Sequence, residues 1–211
     1  TKEFHCLSVM VPAGRVSPKY NVVRVYARPV GAQTIACSGS APGSKKLAAS
    51  SSTIFCIIIP MLLETVRLLL STWQSSDWIS LRPISTDPEV MRYITGGVPW
   101  TDEQTQAFVD RQVKLYAERG FCRWRLIRKS SGTFIGFCGA GFWRDYPDPE
   151  IGWWLKRDEW GNGLATEAAR AALRDAMERV SLDRIVSIAM PGSVASTSTM
   201  RKLGLTFECE F

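Results

Sequence analysis

Trp160-Gly161-Asn162-Gly163-Leu164-Ala165 is the stretch whose residue types and spacing most directly imply chemistry. A short apolar, aromatic run, Glu150-Ile151-Gly152-Trp153-Trp154-Leu155, precedes it and reads as a strand. Residues 164–180 follow. They are rich in alanine and free of glycine and proline, and Leu164, Leu173, Met177 and Val180 form a helical stripe. The order is strand, charged turn, two glycines, helix. The first turn of a helix carries N–H groups with no partner inside the helix. Glycines just ahead of it let an anion approach the backbone, and the helix dipole favours negative charge there. A phosphate or pyrophosphate suits such a stretch. The alternative is a tight strand-to-helix turn that binds nothing.

The identity of that phosphate can be narrowed. The dinucleotide fingerprint asks for glycine or alanine at position 166, where Thr166 stands. Asp183 lies at a suitable distance downstream, but it precedes the strand-like run Arg184-Ile185-Val186-Ser187-Ile188 instead of ending it. The Gly-Lys-Ser/Thr ending of the nucleoside triphosphate loop is absent. A phosphate-bearing cofactor other than NAD or ATP is expected. The only histidine is His5, and the six cysteines include no Cys-x-x-Cys pair. Neither a metal site nor a Ser-His-Asp or Cys-His group is expected in the body of the chain. Reduced thiols and a cytoplasmic setting are the plain reading of the cysteines.

The net charge of +6 over 211 residues is unevenly placed. Residues 1–60 carry seven Lys/Arg against one Asp/Glu and account for the whole excess. The balanced remainder gives no reason to expect nucleic acid as a partner. Residues 1–60 do not read as a domain. Residues 38–52 are rich in Ser, Ala, Gly and Lys, and residues 22–26 are an isolated strand candidate. The apolar run at 54–59, closed by Pro60, is too short for a membrane span of about 20 residues. From Met61 the composition becomes that of a globular protein. The expectation is a non-domain extension over 1–60, upstream of a natural start at Met61, and one domain over 61–211.

Within 61–211 the elements follow from periodicity. Residues 64–70 predict a strand with Val66, Leu68 and Leu70 on one face. Residues 77–81 and 87–93 predict short helices, the second opened by Asp87-Pro88-Glu89. Thr101-Asp102-Glu103-Gln104 is a capping-box start for a helix to Arg119, with Phe108, Val109, Val113 and Tyr116 inward and Gly120 as terminator. Strands follow at 121–128, 133–142 and 150–155. Gly136, Gly139 and Gly141 lower the strand propensity of the second. After the helix at 164–180 come a strand at 184–189, a helix at 193–203 and a strand from Leu205. The order β-α-α-α-β-β-β-α-β-α-β is an α/β (α+β) arrangement around one mixed sheet.

Four stretches, in this order and spacing, carry a resemblance. They are Leu63-Glu64-Thr65-Val66-Arg67-Leu68, then Asp87-Pro88-Glu89-Val90-Met91-Arg92-Tyr93, then Glu150 through Ala168, then Val194-Ala195-Ser196 with Met200-Arg201-Lys202-Leu203-Gly204. Residues 61–211 resemble the GNAT superfamily of acyl-CoA-dependent N-acetyltransferases, and within it the RimJ/RimL-like branch, which acetylates ribosomal-protein N-termini. The resemblance implies the GNAT fold, one mixed central sheet with flanking helices, its last strand truncated here. It implies acetyl-CoA as cosubstrate, an amine acceptor such as a peptide N-terminus or a small molecule, and no membrane partner. It leaves a homodimer open.

The family's pyrophosphate loop, Gln/Arg-x-x-Gly-x-Gly/Ala, falls on Trp160, Gly163 and Ala165. The resemblance therefore assigns Trp160, Gly161, Asn162, Gly163, Leu164, Ala165 and Thr166 to the pyrophosphate, and Trp153, Trp154 and Leu155 to the pantetheine arm. Gly152 falls where that strand commonly bulges from its neighbour, and a splayed strand there offers an oxyanion hole. Ser193 replaces the branch's usual Asn beside the pantetheine. Met200 replaces the tyrosine that many members use to protonate the thiolate. Acetyl transfer to an amine needs a neutral amine, a polarised carbonyl and a protonated thiolate. Glu150 is the candidate base, against a strand-end carboxylate. Ser196 is the candidate partner of the thiolate, against a helix-terminus serine. Trp143, Tyr146 and Trp153 are candidate walls of the acceptor site, against ordinary packing. The competing function is a non-catalytic CoA-sensing or protein-binding domain of the same fold.

Overall fold

The computed structural model describes residues 21–26, 62–143, 146–190 and 192–210. The tract at 38–52, the apolar run at 54–59, Met61 and Asp145 lie outside the described residues. In chain order the strands are β1 (Asn21–Tyr26), β2 (Leu62–Glu64), β3 (Leu68–Ser71), β4 (Arg123–Arg128), β5 (Phe134–Gly141), β6 (Glu150–Leu155), β7 (Arg184–Ala189) and β8 (Thr206–Glu210). The helices are α1 (Trp78–Ser85), α2 (Pro88–Met91), α3 (Asp102–Arg119), α4 (Leu164–Arg174) and α5 (Val194–Lys202). Among the described residues, all eight strands form one sheet in the order β2-β3-β4-β5-β6-β7-β1-β8. Every neighbouring pair is antiparallel except β6 and β7.

Two sequence expectations change. The single strand expected over 64–70 is a hairpin. Thr65 closes it, its N–H donating to the Leu68 carbonyl at 2.9 Å and its hydroxyl accepting from the Leu68 N–H at 3.0 Å. Leu68 and Leu70 are buried as expected, whereas Val66 is 89% exposed at the tip. The second change concerns residues 1–60. Asn21–Tyr26 is a strand of the sheet, paired along its length with β7 (Asn21 with Ala189, Tyr26 with Arg184) and on its other edge with β8. For these six residues the expectation of a segment outside the fold does not hold. The three valines of Val22-Val23-Arg24-Val25 suit a strand flanked on both edges.

The core lies between the sheet and its helices. Helix α3 begins with the expected capping box. Gln104 N–H donates to Thr101 Oγ1, and Thr101 N–H to Gln104 Oε1. It ends at Gly120 with φ 74°. Its inward side includes Phe108 and Val109 but also Thr105 and Gln112. Trp154 on β6 packs among Trp100, Phe108 and Phe137, with ring centroids 4.6, 6.0 and 5.0 Å away. That cluster fixes β6 from one face of the sheet. Helix α4 buries Leu164, Ala168, Ala169, Ala172 and Leu173, and the alanines among them let it lie close to β5 and β6. A π-helical turn, Asp175–Arg179, continues it toward the expected end at residue 180.

The glycines of β5 have a specific use. A Cβ on Gly136 would lie 2.1 Å from the Trp154 carbonyl oxygen, and one on Gly139 would lie 2.3 Å from that of Cys122. The backbones approach too closely for any side chain. The strand's low propensity is the cost of that approach.

Candidate active site

The two flanks of β6 differ. Toward β5 it pairs without interruption from Glu150 (with Gly141) to Leu155 (with Gly136). Toward β7 the register holds only at Glu150 with Val186. Val186 N–H donates to the Pro149 carbonyl at 2.9 Å, and the buried Ser187 hydroxyl donates to the Ile151 carbonyl at 2.9 Å. Beyond that point the strands part. A cleft of about 470 Å³ occupies the gap, lined by Gly152, Trp153, Trp154 and Leu155 on one side and by Ser187, Ile188 and Ala189 on the other.

One end of the cleft is the glycine loop. Trp160, Gly161, Gly163, Leu164, Ala165 and Thr166 line it. Gly161 and Gly163 have φ 76° and 74°, the left-handed region that glycine enters most readily. A Cβ on Gly161 would meet nothing within 4 Å, and one on Gly163 would meet only Arg67 Nη2, at 3.8 Å. Room for an anion is therefore open at the N-terminus of α4. Trp160 Nε1 donates to the Leu155 carbonyl at 2.9 Å, tying the loop to the end of β6. Asn162 is not among the lining residues. Its backbone carbonyl instead accepts from Arg67. Lys202, at the end of α5, adds a cation to the lining.

The other end holds Glu150. It is buried, and its Oε2 accepts from Arg123 Nη2. Arg123 on β4 reaches Glu150 on β6 by crossing β5, and the missing side chains of β5 and β6 make the trough. A Cβ on Gly141 would lie 3.0 Å from Arg123 Nη1, and one on Gly152 would lie 3.1 Å from Glu150 Oε1. Gly152 thus makes room for the carboxylate, while β6 keeps its register with β5 across it. The departure from a neighbouring strand is on the β7 side. Removing either partner of a buried ion pair typically costs about 3–5 kcal/mol, because the other charge is stranded. Cys138 lies under this pair and Cys122 nearby. Burial pushes both thiols up from the ordinary thiol range.

Between the two ends, Ser193 and Ser196 line the cleft from α5 and the turn before it. Ser193 is buried, and its hydroxyl makes no capping bond to the helix. Met200 is buried in the same wall and packs with Ala189 and Leu205. Trp153 lies in the lining, whereas Trp143 and Tyr146 do not. The structure thus gathers the loop, the strand, Glu150, Ser193 and Ser196 around one cleft.

Sequence reasoning missed residues of two kinds. Glu89, Arg92 and Tyr93, at α2 and just after it, line the cleft, and Tyr93 lies against Gly192 on the opposite wall. They stand in a stretch recognised for its family pattern but given no role. Arg123 was invisible because its partner is distant in sequence. Its one trace was the pair of glycines, Gly141 and Gly152, whose missing side chains leave it room.

The acetyltransferase (GNAT) domain family matches residues 67–206. The uncharacterized N-acetyltransferase YnaD of Bacillus subtilis is 30% identical over 150 residues, 70% of this chain and 84% of its own length. The crystal structure of a GNAT-family acetyltransferase from Bacillus anthracis superposes with a TM-score of 0.58 at 27% identity, over 68% of this chain and 82% of that one. RimL, a ribosomal L7/L12 α-N-protein acetyltransferase solved with coenzyme A, has a TM-score of 0.57 over 68% of this chain and 82% of its own. At 16% identity that likeness is one of fold.

Proposed function

The chain belongs to the GNAT acetyltransferase family, and from that premise we propose that it transfers the acetyl group of acetyl-CoA to a primary amine by direct attack. A protein N-terminal α-amine, as in the RimJ/RimL-like branch, is the first acceptor class to test, and a cytoplasmic setting belongs to the same reading. The observation that carries it is the continuity of one cleft, from the two-glycine loop at the N-terminus of α4 to the Glu150 carboxylate. Loop N–H groups and the α4 dipole suit the pyrophosphate. The parted β6 edge suits the pantetheine arm, because its backbone groups from Gly152 onward have no partner on β7. Those groups also suit the thioester oxygen as negative charge develops on it.

In this reading the amine nitrogen attacks the thioester carbon and the C–S bond breaks. The proton lost by the amine passes to Glu150, directly or through water. The departing thiolate hydrogen-bonds to Ser196 and takes a proton from solvent to give CoA, while Glu150 returns the amine's proton to solvent. Arg123 holds the Glu150 carboxylate in place. The test is acetyl-CoA-dependent thiol release by the full chain over peptides with free N-termini, polyamines, aminoglycosides and small amines. Turnover with any class supports the reading. CoA binding with no turnover across the panel supports the CoA-sensing alternative and overturns this one.

A further inference from the structure

The turn between β2 and β3 lies against the glycine loop and makes directed contacts with it. Arg67 Nη1 donates to the Asn162 carbonyl at 2.9 Å. Arg67 Nε donates to Glu167 Oε2 at 2.6 Å, and the Arg67 backbone N–H donates to Glu167 Oε1 at 2.8 Å. Thr65 Oγ1 donates to the same Oε1 at 2.6 Å. Glu167 stands in the first turn of α4, and its own N–H donates to the Gly163 carbonyl at 3.1 Å. One guanidinium therefore joins the loop backbone to a carboxylate at the helix N-terminus.

Two consequences follow. In a planar trans peptide the C=O and the following N–H point in opposite directions. With the Asn162 carbonyl turned onto Arg67, the Gly163 N–H is turned away from it, and Gly163 lines the cleft. The second consequence is electrostatic. A bare carboxylate in the first turn of α4 would repel a phosphate arriving at that terminus. The Arg67 charge opposes this. Burial by itself would push the Glu167 carboxyl up. The hydrogen bonds from Thr65 and Arg67, together with the Arg67 charge, outweigh it and hold the group below the ordinary carboxylate range. The Glu167 carboxylate thus stays ionised at neutral pH beside the guanidinium.

We infer that Arg67 is a positioning residue for acetyl-CoA: by holding the Asn162 carbonyl and screening Glu167, it sets the loop amides for the pyrophosphate. This rests on the reading of residues 160–166 as the pyrophosphate site. The pair is well placed for such a role, with the Glu167 side chain 17% exposed and that of Arg67 42% exposed.

The test is calorimetric titration of the full chain with two probes, coenzyme A and S-acetylpantetheine, which lacks the pyrophosphate. Arg67→Ala should weaken coenzyme A at least about tenfold, the size of one charge-assisted hydrogen bond, and leave S-acetylpantetheine within about twofold. Arg67→Lys should recover part of the loss, since it keeps the charge but not the fork. Adding Glu167→Gln to Arg67→Ala should also recover only part, because the carbonyl stays unheld. Full recovery by that double variant would overturn the carbonyl-holding role. Equal losses for both probes, with a lower Tm, would mean general support of the fold and overturn the inference. Gly163→Asp separates it from its premise. If that variant loses coenzyme A while Arg67→Ala does not, the inference alone fails. If neither does, the reading of the loop fails with it.

Discussion

Strand β6 is zipped to β5 along its whole length and joined to β7 at a single register position. On the β5 side, glycines bring the backbones so close that a methyl group would collide with a carbonyl. On the β7 side, one side-chain hydroxyl makes the last connection before the strands part. A sheet forgoes ladder hydrogen bonds only where something else takes those groups. The contrast supports the proposed ligand position, because the opened flank ends at the helix terminus suited to a phosphate. It also shows how the opening is tolerated. The opposite flank is over-determined by Trp154 in its aromatic cluster and by the Arg123–Glu150 bridge across β5.

The largest effect is expected at that bridge. A general base contributes about 10²–10⁴-fold, so Glu150→Gln should lower kcat by about that factor. The single variant also strands a buried guanidinium, so it confuses chemistry with folding. Glu150→Gln combined with Arg123→Gln removes both charges and separates the two. A double variant with wild-type Tm that still lacks the 10²–10⁴-fold of turnover supports the catalytic reading. A double variant that regains both stability and turnover makes the pair a brace for the zipped flank. In either background the lost rate should shrink as pH rises, because more of the acceptor amine is then already neutral.

Next in size is the glycine loop at the end of the opened flank. Gly163→Asp puts a carboxylate beside the expected pyrophosphate. Two like charges about 4 Å apart repel by roughly 1–4 kcal/mol between bulk water and a protein surface, so coenzyme A should weaken by about 10²-fold. The φ of 74° makes Gly163→Ala a strained control. Gly163→Asn is the better one, since asparagine visits this region and carries no charge. Calorimetry showing equal losses for Asn and Asp would assign the effect to backbone strain.

Much of this contrast was legible in the sequence. The strand before the loop and the helix after it were read from apolar periodicity, and the turn between them from its two glycines; the structure has a strand, a turn and a helix at those places. These are local signals, carried by neighbours in the chain. What stayed hidden was non-local. Arg123 and Glu150 are 27 residues apart, and Arg67 and Glu167 are 100 apart. Nothing in either member alone announces its partner. The hairpin at Thr65 was read as one strand because Val66, Leu68 and Leu70 alternate as a strand face does. The side-chain bond from Thr65 to the Leu68 backbone overrides that pattern. The strand Asn21–Tyr26 was seen as a strand but given no sheet, since pairing with β7 and β8 leaves no mark near residue 21.

That strand supplies a third, smaller test. β7 is loosely held by β6 and fully paired with β1 on its other edge, and β8 has β1 as its neighbour in the sheet. Removing residues 1–60 leaves β7 weakly supported on both flanks. Each lost backbone hydrogen bond counts for about 1 kcal/mol net, much of it offset by the entropy regained. A loss of roughly 2 kcal/mol would lower Tm by about 4–8 °C for a chain of this size. An unchanged Tm after removal would show that β7 and β8 hold together without β1.

The smallest effect is expected at Ser187, the last stitch before the strands part. Its hydroxyl donates to the Ile151 carbonyl at 2.9 Å, and the residue is 1% exposed. Ser187→Ala leaves that carbonyl one donor short, and the net contribution of such a bond is about 1 kcal/mol. Tm should fall by about 2–4 °C. The more telling readout is local. Without the stitch the opening should extend toward Glu150, so amide exchange should quicken at Ile151 and Val186 while residues paired with β5 stay protected. Ser187→Thr keeps the hydroxyl and adds one methyl group, so it should keep the stitch and its protection even if packing suffers. If Ala and Thr lose protection equally, the cause is packing at a buried site. If Ala leaves exchange unchanged but weakens coenzyme A, the hydroxyl serves the ligand. The wild-type pattern for Thr with local loosening for Ala would make Ser187 the point at which a closed sheet becomes a binding cleft.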